Sequence, residues 1–315
     1  MEREKISNKQ VFIKWTGSKR KQAPEIVDNF PKEINTYYEC FLGGGSVLHE
    51  LLNRIYSGEI KCKKIICCDI NPDLIGIWNM LKNNRQELFD YYVSQYNEII
   101  RRRDIARTQT DDEVEVTRRM GTLYYENRDK MNSLPVGSEE RIKLFYWITR
   151  TCFNGLIRYN PKGKFNASYH VGGRNGIKPS ELQNVFEAWG KVIDNVDIEF
   201  RCASYELVIA DAKEGDVIYM DPPYEKITGI YITNTFNNTS MFDIIRDLTK
   251  NNIKVFMSYD GKSGSTDYTS DSVPEDLFVR HIYVNSGHSS FKKLKSKSAG
   301  TDNKAMLYDS LYINY

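Results

Sequence analysis

The sequence predicts an α/β fold with a doubly wound, mostly parallel sheet. Three observations point there. Short apolar runs rich in Val, Ile and Tyr occupy both ends of the 315-residue chain, and helical patterns lie between them. Glycines follow the first run, and the second ends in an acid. Short apolar strands alternating with helices are the signature of a parallel sheet covered on both faces. The length suits one large α/β domain, or a catalytic domain carrying one sizeable insertion.

The early strand candidates are Tyr37–Phe41 and Ile65–Ile70. The later ones are Ile198–Cys202, Val217–Met220, Lys254–Tyr259, Val279–Val284 and Leu307–Tyr315. Helical patterns cover Ser46–Tyr56, Pro72–Lys82 and Ser240–Asn251. The middle of the chain differs. Asp73 to Trp147 is mostly helical, with Tyr91, Tyr92, Tyr96 and Ile99 at helical spacing, and Gly155 to Gly176 is rich in turn-forming and basic residues. We therefore expect a catalytic domain formed by residues 1–74 and 196–315. A mainly helical insertion, 75–195, would divide it and end in an exposed basic loop.

Composition is that of a globular protein, 40% hydrophobic and 27% charged. No apolar run approaches the ~18 residues of a membrane span. Met1 to Gln10 is polar, without the apolar stretch of a secretion signal. The six cysteines show no paired spacing, so neither disulfides nor a metal site is expected, and a cytoplasmic location is the default. A net charge of +2 decides nothing about partners, but its distribution does. Arg141 to Ser180 carries eight Lys or Arg and no acid: Arg141, Lys143, Arg150, Arg158, Lys162, Lys164, Arg174 and Lys178. Leu277 to Thr301 carries five more and no acid, among them Lys292 and Lys293. Such stretches suit a polyanion-facing surface, the alternative being solvated faces.

Four segments carry chemistry. In Tyr38-Glu39-Cys40-Phe41-Leu42-Gly43-Gly44-Gly45-Ser46 a strand runs through glycines into a helix N-terminus. A nucleotide-like ligand can lie there against bare backbone, although a ligand-free turn would read the same. Asp69 ends the second strand, where a carboxylate can accept from both ribose hydroxyls of an adenosine cofactor. Its competing role is a helix cap, for which Asn71-Pro72 also competes. Val217 to Met220 runs into Asp221-Pro222-Pro223-Tyr224. The prolines stiffen this turn and leave a carboxylate, the Pro222 carbonyl and an aromatic ring projecting from it. That set can accept two hydrogen bonds from an aromatic amine and stack on the base bearing it; the bland alternative is a structural turn. In Phe12 to Lys19, Trp15 can wall a pocket and Lys19 can meet a carboxylate.

Together these segments resemble the Dam-type family of adenine-specific DNA methyltransferases. The order matches: Lys-Trp-x-Gly-x-Lys, Phe-x-Gly-x-Gly, a long insertion, then Asp-Pro-Pro-Tyr. Phe153-Asn154-Gly155-Leu156-Ile157-Arg158-Tyr159-Asn160 and Gly163-Lys164-Phe165-Asn166 match the family's DNA-reading loop. The resemblance runs from about Phe12 to Tyr312. It implies a seven-stranded Rossmann-like methyltransferase sheet with a DNA-recognition insertion, S-adenosylmethionine as cofactor, no metal, and double-stranded DNA as partner. Trp15, Lys19, Phe41, Gly43, Gly45, Asp69, Ser204, Tyr205 and Asp221 would bind the cofactor. Asp221, Pro222 and Tyr224 would hold the target adenine. Phe153 and Asn154 would fill the space of the flipped base, while Arg158, with Leu156 and Lys14, would read base edges. Lys162, Lys164, Lys292 and Lys293 would meet phosphates. GATC is the leading candidate site, a cognate restriction endonuclease a candidate partner, and the nucleoid the expected place of work. Ser18 departs from the family, which usually has glycine there. Residues 98–139 receive no role beyond structure.

Other functions remain open from sequence alone: methylation of cytosine's amino group or of RNA, a DNA-binding protein without catalysis, and a nicotinamide oxidoreductase. The last leaves Asp-Pro-Pro-Tyr unexplained. Cytosine-directed relatives more often carry Ser at its first position.

Overall fold

The computed structural model describes residues 11–170, 176–223, 238–263, 266–267, 273–288 and 306–315. Helix α1 spans Ala23–Asp28, and strand β1, Glu33–Cys40, leads through the glycine turn to α2, Ser46–Ser57. Strand β2, Lys61–Asp69, is followed by α3, Pro72–Asn83. The helical segment then holds α4 (Arg85–Arg107), α5 (Glu113–Met120), α6 (Thr122–Ser133), α7 (Glu139–Thr151) and α8 (Pro179–Ile193). Strand β3 (Ile198–Cys202), α9 (Tyr205–Ile209), β4 (Val217–Met220), α10 (Asn238–Lys250) and β5 (Lys254–Ser263) resume the α/β alternation. Strands β6 (Thr266–Asp267), β7 (Arg280–His288) and β8 (Met306–Ile313) follow.

The expected sheet is present. Seven strands run in the order β3-β2-β1-β4-β5-β8-β7, and the two-residue β6 pairs with β5 as an eighth. Neighbours from β3 to β5 are parallel, while β8 is antiparallel to both β5 and β7. The chain winds outward from β1 to β3 on one side and from β4 to β5 on the other. The order therefore reverses between β1 and β4, where a doubly wound sheet opens a crevice at its carboxyl edge. Register aligns that edge: Cys40 pairs with both Cys68 and Met220, and Asp69 pairs with Cys202. Phe41, Asp69, Cys202 and Asp221 consequently emerge side by side.

Both sheet faces are buried, which explains the nearly continuous apolar runs. On one face Tyr37, Cys67 and Tyr219 join a core that continues through α2, α3 and α8 to Tyr92, Tyr124 and Trp147 of the helical segment. On the other, Tyr38, Cys68, Ile218 and Met220 pack with α9 and α10. The expected domain boundary at residue 75 falls inside α3, which packs on β2 and β3. Helix α8 likewise packs on α2, α3 and α4. Sheet and helical segment thus share one core on that face.

Two cations of the first basic stretch are core residues, which corrects the expectation that they face a polyanion. Arg141 is 5% exposed and pairs with Asp73 at 2.7 Å while donating to the Met131 carbonyl at 2.8 Å. Arg150, also 5% exposed, donates to the Phe12 carbonyl at 2.6 Å and to the Val11 carbonyl, fastening the N-terminal segment to α7. A third, Lys143, is held by Glu87 and Glu139. A buried cation needs such partners, and here most lie far away in sequence. No helix among the described residues is long and apolar enough to cross a membrane.

Candidate functional site

The glycine turn after β1 is shaped by its neighbours. Gly43 (φ +50°) and Gly45 (φ +63°) are left-handed, a region costly for other residues. A Cβ on Gly43 would sit 2.8 Å from the Trp15 ring, and one on Gly45 would sit 2.6 Å from Trp78. The Trp78 indole donates to the Gly43 carbonyl at 3.1 Å, fixing the turn from below. Phe41 is itself left-handed (φ +62°), and its ring lies 5.2 Å from that of Tyr205. Non-glycine residues in this conformation cluster at ligand sites, where surrounding structure holds the strain. Ser18, the departure from the family pattern, shares a 2.7 Å hydrogen bond with Ser46 at the start of α2.

Asp69 is not the cap of α3. Asn71 is: its side chain accepts from the Leu74 amide at 3.1 Å. The Asp69 carboxylate instead accepts from the Gly43 amide (3.2 Å) and the Asn71 amide (3.0 Å), with burial pushing its pKa up. These bonds orient it at the strand end.

A cavity of about 330 Å³ opens at the reversal point. Trp15, Lys19, Phe41, Gly43, Gly45, Asp69, Ser204, Tyr205 and Asp221 all line it, as do Pro222 and Pro223. Aromatic rings, bare glycine backbone and carboxylates thus surround one space. Among the described residues its carboxylates are Glu39, Asp69, Glu206 and Asp221, facing one ammonium, Lys19. Lys19 is 7% exposed and lies 3.0 Å from Asp221 and 3.6 Å from Asp309. A sulfonium nucleoside bearing a free amino-acid arm fits this donor set. It carries two positive groups, a carboxylate, a ribose and an adenine, and the walls offer acids, a lysine and rings.

Sequence reasoning missed four residues here. Glu39 lines the cavity, accepts from the Tyr37 hydroxyl at 2.8 Å, and has its pKa pushed up to about 8 by burial. Its signal was an acid inside an apolar strand. Ile157 and Tyr159 also line the cavity, and Tyr159 accepts from the Asn71 side chain at 3.4 Å. Among the described residues, Asp309 reaches the site through Lys19.

The segment expected to read DNA follows α7. Phe153–Gly155 forms a single tight turn, with Asn154 at φ +53° and Gly155 at φ +69°. Phe153 is 38% exposed. Lys14 is brought against this turn, since a Cβ on Gly155 would lie 3.1 Å from the Lys14 Cβ. The chain then makes a hairpin in which Tyr159 bridges Phe165, the Asn160 amide donates to the Lys164 carbonyl, and the Asn166 amide donates to the Arg158 carbonyl. Alternation turns Tyr159 toward the cavity and leaves Arg158, Lys162 and Lys164 exposed, with Leu156 half-buried. The Arg158 guanidinium donates to the Asn166 side chain (2.8 Å) and carbonyl (3.0 Å), and pairs with no acid among the described residues. Tyr224, Lys292 and Lys293 lie outside the described residues. No group of three His, Cys, Asp or Glu among the described residues is placed to hold a metal.

The family of D12 class N6 adenine-specific DNA methyltransferases matches residues 15–298. The chain is 30% identical to the type II methyltransferase M.MjaIII of Methanocaldococcus jannaschii, over 96% of this chain and 98% of that protein. It is 28% identical to the type II methyltransferase M1.LlaDCHI of Lactococcus lactis subsp. cremoris, over 76% and 75%. It is 29% identical to the DNA adenine methylase of Salmonella typhi, over 80% and 81%. The match spans the glycine turn, the helical segment and the Asp-Pro-Pro-Tyr turn alike, and the chain belongs to the D12 class of N6 adenine-specific DNA methyltransferases.

Proposed function

We propose that this enzyme transfers a methyl group from S-adenosylmethionine to the 6-amino group of an adenine flipped out of a short duplex site. One observation carries the reading: all nine residues expected at the cofactor line a single cavity, with Asp221 and Pro222 at its wall.

When bound, S-adenosylmethionine supplies an already activated methyl. The protein must then bind, align and exclude water, and alignment provides most of the acceleration. Asp69 accepts from the ribose, Trp15, Phe41 and Tyr205 wall the rings, and Lys19 meets the carboxylate. The glycine turn lets backbone approach closely. Asp221 and the Pro222 carbonyl accept the two amine hydrogens, which favours a pyramidal nitrogen with its lone pair free. Tyr224 stacks on the base and recovers about 1–3 kcal/mol of lost stacking. The target amine is shielded within a duplex, so the base must rotate out. Phe153 and Asn154 would occupy the vacated space.

Arg158, with Leu156 and Lys14, reads base edges in this proposal, and Lys162, Lys164, Lys292 and Lys293 contact phosphates. The recognition insertion is residues 75–195, and the catalytic domain residues 1–74 and 196–315. The site contains adenine and at least one guanine, with GATC as the leading candidate. The cytoplasm, on the nucleoid, is the place of work. Relatives named type II methyltransferases support a cognate restriction endonuclease as partner.

The test is tritiated-methyl transfer to duplex DNA, with single-molecule sequencing of the product to report the base and its context. Asp221→Ala should abolish transfer while DNA binding persists. Activity within tenfold of wild type would remove Asp221 from the reaction, and modification of cytosine would overturn the adenine assignment.

A further inference from the structure

The Lys19 ammonium lies between two carboxylates, and only one of them belongs to the Asp-Pro-Pro-Tyr turn. The second, Asp309, sits on β8, the strand that runs against its neighbours. Its position is built. Gln22, at the N-terminus of α1, donates to Asp309 Oδ2 at 2.8 Å, and the Ser286 hydroxyl of β7 donates to Oδ1 at 3.3 Å. Lys19 Nζ lies 3.6 Å from Asp309 Oδ2 and 3.0 Å from Asp221 Oδ1. The Lys19 side chain is 8% exposed, and the two acids are 23% and 21% exposed. Asp309 is absent from the cavity wall, and among the described residues its link to that wall is Lys19.

Charge decides what this arrangement does. A lone ammonium against Asp221 would draw density from the carboxylate that must accept the amine. A second carboxylate on the far side shares the ammonium and holds it in place. We propose that Asp309 is a positioning residue for methyl transfer, holding Lys19 so that Asp221 keeps its place and its strength as an acceptor. This rests on the proposed role of Asp221.

The test is single-turnover methyl transfer with enzyme in excess, alongside calorimetry of S-adenosylhomocysteine and fluorescence of 2-aminopurine at the target base. Asp309→Asn should slow transfer about tenfold, leave S-adenosylhomocysteine affinity within threefold of wild type, and leave the 2-aminopurine signal unchanged. In a Lys19→Gln background the same substitution should cost less than twofold, because its route of action is gone. An equal loss in both backgrounds would show a structural staple and overturn the proposal, as would an Asp309→Asn rate within twofold of wild type. Should Asp309→Asn not fold, Gln22→Ala loosens the same carboxylate. It should slow transfer about threefold in the presence of Lys19 alone, and no slowing overturns the proposal. An active Asp221→Ala enzyme would instead defeat the role of Asp221 itself.

Discussion

The glycine turn after β1 and the hairpin after Phe153–Gly155 are both short connections at the functional face, yet their exposed sides are held differently. The turn is shaped from outside: Trp15 and Trp78 press on Gly43 and Gly45, and the Trp78 indole holds the Gly43 carbonyl. The hairpin's outward edge is shaped from inside, since its own amides and carbonyls pair and Arg158 rests on Asn166, while its inward Phe165 backbone is anchored to the Asn132 side chain of α6. A turn clamped by aromatic rings is held in shape before any ligand arrives. A hairpin whose outward side chains pair with one another can exchange those partners for a larger one. The first suits a small molecule bound many times, the second a polymer that must be read.

Breaking the clamp should have the largest effect. Gly45→Ala needs a left-handed alanine and a methyl 2.6 Å from Trp78, so either the turn or the indole must move. We expect cofactor binding to weaken by about 2–4 kcal/mol, from backbone strain together with overpacking. Calorimetry with S-adenosylhomocysteine reads this directly, and an affinity within threefold of wild type would mean the turn is softer than its packing implies.

The hairpin should respond more weakly and more selectively. Arg158→Ala should cost about 1–3 kcal/mol of discrimination at one base pair, because a planar fork matches the two acceptors of guanine. Lys162→Ala should weaken all sequences alike and reduce the salt slope by about one. Methylation profiles across site variants separate the two outcomes. Undiminished stringency in Arg158→Ala would assign that side chain to holding Asn166.

The smallest effect concerns the buried acid beside the clamp. Glu39 ionises near pH 4.5 when exposed and at about 8 here, because burial disfavours its charge. The folded protein therefore holds this proton while the unfolded chain releases it, and the group's contribution to stability falls as pH rises from about 4.5 to 8. Above that window the loss is complete. Glu39→Gln removes it, so without ligand the variant should melt higher than wild type at pH 8.5, with little difference at pH 4.5. Equal shifts at both pH values would point to packing.

What could be read in the sequence follows the same divide. Strand ends, the glycine turn and Asp221 announce themselves because backbone constraints are local: consecutive glycines and paired prolines mean much the same in any surroundings. Asp69 was ambiguous until Asn71 proved to be the cap. Arg141 and Arg150 looked like a surface because their partners are remote; Asp73 stands 68 positions from Arg141. Tyr159 and Asp309 reach the site through tertiary pairing that no spacing encodes. No local signal marks where sheet-packed helix gives way to the helical segment, because α3 continues the helical pattern while packing on the sheet.

The order of strands bears on how the chain comes off the ribosome. Strand β8 is made after β7 but lies between β7 and β5. Among the described strands β7 pairs with β8 alone, so until β8 emerges β7 lies outside the sheet and most of one edge of β5 is open, a surface by which incomplete chains associate. Lys19 precedes β1 in the chain, yet Asp309, one of its carboxylates among the described residues, arrives on that later strand. The nascent enzyme can thus shape its glycine turn early but cannot complete the charge arrangement around Asp221 until β8 slides into place.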